Sequence, residues 1–107
     1  MEQYRVIFSK AARKELRDAA DYITTQLLAP IPALKKVKRI RETIYNKLSF
    51  MPQKYRLVDN DVLASFGIRR MNVENYIAFF VVDEEKNTVN VTRIIHSKRS
   101  WQNVLLE

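Results

Sequence analysis

Seven consecutive apolar residues, Tyr76-Ile77-Ala78-Phe79-Phe80-Val81-Val82, set the tightest limit on how this chain folds. Strand side chains alternate between faces, so a run that is apolar at every position needs cover on both sides. Seven residues cannot span a bilayer as a helix, which leaves a central strand of a covered sheet. A chain of 107 residues is long enough for one domain built around one core, and residues 1–107 are read as that single domain.

The segments around this strand follow from periodicity. Tyr4-Arg5-Val6-Ile7-Phe8 is short, aromatic and β-branched, a strand pattern, and Ser9 after it is a natural N-cap. Ala12, Leu16, Ala19, Ala20, Ile23 and Leu27 recur at helical spacing, and that helix must stop before Pro30. Pro32 suits the first turn of a second helix, whose stripe is Ala33, Val37, Ile40, Ile44, Leu48 and Met51, ending at Pro52. So short a connection predicts an antiparallel helical hairpin. Residues 53–66 read as a loop with a strand starting near Leu63, and 68–73, 76–82 and 88–95 as an antiparallel meander turning at 74–75 and 84–87. Residues 98–107 form a tail with helical character that carries Trp101. The order β-α-α-β-β-β predicts an α+β domain: N-terminal strand, antiparallel helical hairpin, then a three-stranded meander, with both helices on one sheet face.

Pairing Val73 with Tyr76, and Asp83 with Thr88, assigns the faces by alternation. One face then carries Met71, Tyr76, Ala78, Phe80, Val82, Val89, Val91 and Ile95, with Arg69 and Arg93 among them. It is the more apolar face and should meet the helices. The other carries Ile68, Arg70, Ile77, Phe79, Val81, Asn90, Thr92, Ile94 and His96, a mixed surface open to a partner or substrate.

Composition removes much chemistry. The absence of cysteine excludes disulfides, thiolate metal sites and cysteine nucleophiles. One histidine cannot form a histidine zinc cage, and one glycine cannot form a Gly-rich phosphate loop, so neither metal nor cofactor is expected. The opening Met1-Glu2-Gln3-Tyr4-Arg5 lacks the pattern of a secretion signal, and a cytoplasmic protein with no membrane partner is expected. Lys and Arg number 19 against 12 Asp and Glu, a net charge of +7. Residues 1–54 hold 12 basic and 5 acidic residues, whereas 55–107 hold 7 of each, so the whole excess sits in the N-terminal half.

Three groups of residues could carry chemistry. His96 ends the last strand near Arg93, Lys98 and Arg99; a histidine among cations suits acid–base work on a phosphodiester, or equally a strand-end hydrogen bond. Lys35, Lys36, Lys38, Arg39 and Arg41 make the second helix basic, either as a solvated face or as a contact for an anionic partner. Trp101 and Tyr55 could stack on bases, although tryptophan more often anchors packing. Arg69 and Arg70 must point to opposite faces, and a core-facing Arg69 would need a buried partner such as Asp18 or Asp21.

Read whole, the chain resembles the RelE/ParE toxin superfamily. The resemblance is carried by Tyr4 through Leu16 with Asp21-Tyr22-Ile23, then Leu48-Ser49-Phe50-Met51-Pro52 and Gly67-Ile68-Arg69-Arg70-Met71. Asn75-Tyr76-Ile77-Ala78-Phe79-Phe80 and Arg93-Ile94-Ile95-His96-Ser97-Lys98-Arg99-Ser100-Trp101 complete it. It implies a growth-inhibiting toxin of a type II toxin–antitoxin pair, of the kind tied to plasmid stabilisation and neutralised by a cognate antitoxin protein. The ribosome-dependent mRNA endonucleases of the superfamily use basic residues on the sheet and near the C-terminus. Against them this chain keeps Arg70 and Arg99 but has Ile77, Ile68 and Leu105 where arginine, lysine and tyrosine are expected. If it were an mRNA interferase, Arg70, His96 and Arg99 would be its catalytic residues. The resemblance leans instead to the ParE-like members that inhibit DNA gyrase, with Arg70, His96, Lys98 and Arg99 as the toxic surface and the 35–41 cations as the antitoxin contact. The alternatives are a RelE-like endonuclease acting on ribosome-bound mRNA, and a non-toxic basic RNA-binding module.

Overall fold

A computed structural model describes residues 3–28 and 30–106. Strand β1 (Arg5–Phe8) leads into α1 (Lys10–Leu27), capped by Ser9, whose hydroxyl oxygen accepts the Ala12 N–H at 3.0 Å. The same hydroxyl donates to the Thr92 carbonyl at 2.7 Å, tying the start of the helix to the sheet. Leu28 ends α1 in the left-handed region (φ 51°), and α2 (Pro30–Leu48) opens on the proline that terminated its predecessor. The expected stripes are the inner faces of this hairpin: Ala12, Leu16, Ala19, Ala33, Ile40, Ile44 and Leu48 are buried. Leu27 belongs to the predicted stripe, but its side chain lies outside the described residues. Met51 leaves the stripe, because α2 ends at Leu48 and Met51 takes φ 47° with 49% of its surface exposed.

A 3₁₀ turn (Pro52–Lys54) and a short helix α3 (Asp61–Ser65) precede the meander of β2 (Arg69–Val73), β3 (Tyr76–Asp83) and β4 (Thr88–His96), and α4 (Trp101–Leu106) follows it. Leu63 was expected to start a strand and is instead buried in α3, because the Asn60 side chain accepts the Leu63 N–H at 3.0 Å and nucleates a helical turn. The strand order is β1-β4-β3-β2, with β1 parallel to β4 and the other pairs antiparallel. Strand β3 is internal, as its apolar run requires.

Both predicted turn pairings hold, Val73 with Tyr76 and Asp83 with Thr88. Between them the ladder slips: Phe79 pairs with Arg93 but Phe80 with Val91, leaving Thr92 as an extra residue. Its hydroxyl donates to the Phe79 carbonyl at 3.1 Å. One inserted residue reverses the faces of everything beyond it. The face assignment is therefore corrected past the bulge: Ile94 and His96 turn to the hairpin side, and Ile95 to the other.

Two cores result. Val6, Ile40, Ile44, Leu48, Met71, Ala78, Phe80, Val89, Val91 and Ile94 fill the space between hairpin and sheet. On the opposite face Ile77, Phe79 and Ile95 join Val58 and Leu63, with Ile68, Trp101, Val104 and Leu105 packed against them. The Phe79 and Trp101 rings lie 5.3 Å apart. The face expected to be a mixed, open surface is thus largely roofed by α3 and α4, and Trp101 serves as a packing anchor.

Candidate functional site

The end of β4 is fastened to α1 by Glu15, a residue the sequence reading passed over. Its carboxylate accepts from Arg93 Nε at 3.1 Å, Arg93 Nη2 at 2.8 Å and the Ile94 backbone N–H at 2.9 Å. A carboxylate next to Leu16, between Ala12 and Ala19 on the buried face, needs a cation opposite it; that placement was the signal in the sequence. Arg93 is therefore drawn toward α1 and away from the surface of candidate cations.

Beside this pair, a groove of about 380 Å³ runs between α1 and the end of the sheet, lined by Asp18, Tyr22, Tyr76, His96 and Arg99. The His96 ring meets Tyr76 edge-on, with centroids 5.2 Å apart. Burial, with Tyr22 nearby, pushes the Tyr76 phenol above its ordinary pKa, so it remains a neutral donor. His96 Nδ1 accepts the Lys98 N–H at 3.1 Å, and Nε2 lies 3.2 Å from the Asn75 amide nitrogen. Both ring nitrogens of His96 thus lie within hydrogen-bond distance of groups at the strand end. These contacts fit the strand-end hydrogen-bonding role.

Of the candidate toxic residues, His96 and Arg99 share this groove, and Lys98 is exposed in the adjoining turn. Arg70 does not join them. It pairs with Phe79 in the ladder, on the other sheet face, with its guanidinium carbon 5.4 Å from the Trp101 ring centroid and Nη2 donating to Asn72 Oδ1 at 3.1 Å. Burial, and then the nearby Arg56, hold its pKa below the usual arginine value. Arg69 faces the hairpin side as expected, but its partners are neither Asp18 nor Asp21. Its Nη1 donates to the carbonyls of Gln53 (3.2 Å) and Tyr55 (2.6 Å), and Asp18 pairs with Lys14 at 2.8 Å.

The basic run on α2 is not uniform. Arg39 is engaged within the fold, donating through Nε (2.9 Å) and Nη2 (2.8 Å) to Glu74 in the β2–β3 turn. The Arg39 hydrogen bond is the main cause that holds the Glu74 carboxyl below its ordinary range. Lys38 lies 3.9 Å from Glu42, Lys35 is exposed and Lys36 half-buried. Arg41 joins Arg13 and Arg17 at the rim of an apolar groove of about 320 Å³ floored by Phe8, Leu16 and Val37. Among the described residues no cluster of three or more His, Asp or Glu could hold a metal ion, and no helix is long and apolar enough to cross a membrane.

Ile77 lies in the second core, 2% exposed, and Ile68 and Leu105 pack partly buried against it. Their apolar side chains support α3 and α4.

A long helical hairpin on one face of a β1-β4-β3-β2 sheet, with Lys98 and Arg99 in the turn after the last strand, is the architecture that the RelE/ParE resemblance implies. Residues 6–101 match the family model described as the ParE toxin of the type II toxin–antitoxin system, parDE, and the chain belongs to that family. Among solved structures it is similar to a chain of the chromosomal ParDE TA system from P. aeruginosa, with 21% identity and a TM-score of 0.73, covering 90% of this chain and 98% of that one. It is also similar to a chain of the toxin–antitoxin complex RelBE2 from Mycobacterium tuberculosis, with 22% identity, a TM-score of 0.66 and coverage of 90% and 93%. A third is from the archaeal RelE–RelB complex of Pyrococcus horikoshii, with 15% identity, a TM-score of 0.54 and coverage of 92% and 99%. No curated protein sequence matches the chain.

Proposed function

We propose that this toxin inhibits DNA gyrase, that it does not cut RNA, and that a cognate antitoxin protein holds it inactive. One observation carries the choice of mechanism. The three positions where the resemblance expects nuclease side chains hold aliphatic residues, Ile77 buried in the second core and Ile68 and Leu105 partly buried against it. An aliphatic side chain can neither move a proton nor stabilise the charge of a phosphorane. The remaining candidates are divided, with His96 and Arg99 on the hairpin side and Arg70 across the sheet. A surface of this kind grips a target. Its toxic contact would be Arg99, Lys98 and His96, with Arg70 as a separate contact on the opposite face.

Antitoxin binding is supported by the family and by relatives solved as toxin–antitoxin complexes. An acidic antitoxin segment would contact Lys35, Lys36, Lys38 and Arg41, whereas Arg39 is already paired with Glu74. The RelE-like reading draws on Arg99 standing beside His96. Purified protein should inhibit gyrase supercoiling and accumulate gyrase-dependent DNA breaks, while ribosome-bound transcripts stay intact. Transcript cleavage by the pure protein on ribosomes, abolished by Arg99→Ala, would overturn the proposal.

A further inference from the structure

Outside the groove at His96, three cations converge without a counter-charge. Lys54, Arg56 and Arg70 line a cavity of about 300 Å³ at the β2 edge, with Tyr55 and Asn72 completing its wall. Among the described residues, none of the ion pairs in the fold involves any of the three. The cavity is held open by its own scaffold. Leu57 bridges to Arg69, the Arg70 N–H donates to the Arg56 carbonyl at 3.3 Å, and the Arg69 side chain grips the carbonyls of Gln53 and Tyr55. Segment 53–57 is thereby fixed against β2. Arg70 is positioned too, stacked over Trp101 and bonded to Asn72 through only one of its five N–H groups.

Like charges brought together in a fixed frame repel one another, and the Arg70 pKa is lowered first by burial and then by the nearby Arg56. The arrangement is relieved by an oxygen-rich anion. Two guanidinium forks and one ammonium match the several oxygens of a phosphate better than the two of a carboxylate. The lining is mainly polar and cationic, and the Met71 side chain is buried in the first core, so nothing here would hold an apolar peptide side chain.

We propose that Lys54, Arg56 and Arg70 form a phosphate-binding site at the β2 edge, suited to the phosphodiester backbone of a nucleic acid. The site goes beyond gyrase inhibition: it shares Arg70 with the proposed toxic surface, and Lys54 and Arg56 are its own. A toxin that also held a DNA phosphate would be concentrated where a DNA-bound target works.

The test uses the full chain and compares two variants of equal charge. Lys54→Gln/Arg56→Gln removes two cations from the cavity, and Lys10→Gln/Lys86→Gln removes two exposed ones elsewhere. Fluorescence anisotropy of a labelled DNA duplex is followed between about 50 and 200 mM salt, where each lost phosphate contact lowers the salt slope by about 0.9. The cavity variant should bind about tenfold more weakly with a slope reduced by about 1–2. The distal variant should stay within about twofold of the parent. Trp101, the only tryptophan in the chain, reports the source of the phosphate. Pyrophosphate should change its emission in the parent and not in the cavity variant. A response to pyrophosphate without duplex binding would keep the site and assign it to free phosphate compounds. Equal losses in both variants would overturn the proposal. So would polyglutamate competing as well as DNA through the same two residues, which would mark an acidic-peptide contact instead.

Discussion

Glu15→Ala tests what holds α1 to the sheet. The carboxylate side chain is 16% exposed and its Arg93 partner 30%, so the pair is partly shielded from water. Removing it takes away the bidentate contact and the acceptor of the Ile94 N–H. A hydrogen bond to a charged group contributes about 1.5–3 kcal/mol, and a buried N–H left without an acceptor costs about 1–3 kcal/mol. Such contributions are not additive, and residual exposure screens the ionic part, so the loss should be about 2–3 kcal/mol. For 107 residues the unfolding entropy is about 0.22 kcal/mol/K, so the midpoint of thermal unfolding should fall by about 10 °C. With a urea m-value of about 1.5 kcal/mol/M, the urea midpoint should fall by about 1.5 M. Glu15→Gln keeps an acceptor for Ile94 and should lose about half as much. Circular dichroism during heating and urea titration reads both. If Glu15→Ala melts within about 3 °C of the parent, the carboxylate does not hold the hairpin to β4, and the reasoning from its geometry fails.

Ile77→Arg, the substitution that would make the sheet more nuclease-like, should unfold the protein because it places an unpaired charge in the second core. Ile77→Val should cost only about 0.5–1.5 kcal/mol by urea denaturation. The Glu74 carboxyl is held below its ordinary pKa in the folded state, so the Arg39 contact stabilises above the normal carboxylate range and is lost as pH falls through the depressed value. Arg39→Ala should move the Glu74 titration upward in NMR and remove that acid-side component of the stability curve. Tyr76, with its pKa raised by burial, should ionise above the ordinary phenol range in an absorbance titration, and Tyr76→Phe should delete that component.

Local chemistry made much of the fold legible. Ser9 caps a helix wherever its oxygen can meet the Ala12 N–H, prolines separate two helices whatever lies around them, and apolar residues at helical spacing must share one face. The unbroken run of β3 demanded an internal strand, and the turns at Glu74-Asn75 and after Asp83 set the pairings. These features depend on residues a few positions apart, and periodicity reads such distances well.

What tertiary structure decided involves partners far apart in sequence. Thr92 became an extra residue just past the last β4 residue paired with β1, and that single slip carried Ile94 and His96 to the hairpin face. Glu15 found Arg93 across 78 positions, and Arg69 chose two backbone carbonyls in place of an aspartate. Lys54 and Arg56 lie in a stretch read only as loop, and they meet Arg70 because segment 53–57 folds back along β2. Strand alternation has a period of two, so a one-residue change in packing reverses a face while leaving the hydrophobic pattern almost unchanged. The sequence alone therefore determined which elements form and in what order, and only three-dimensional contact decided which charged groups meet.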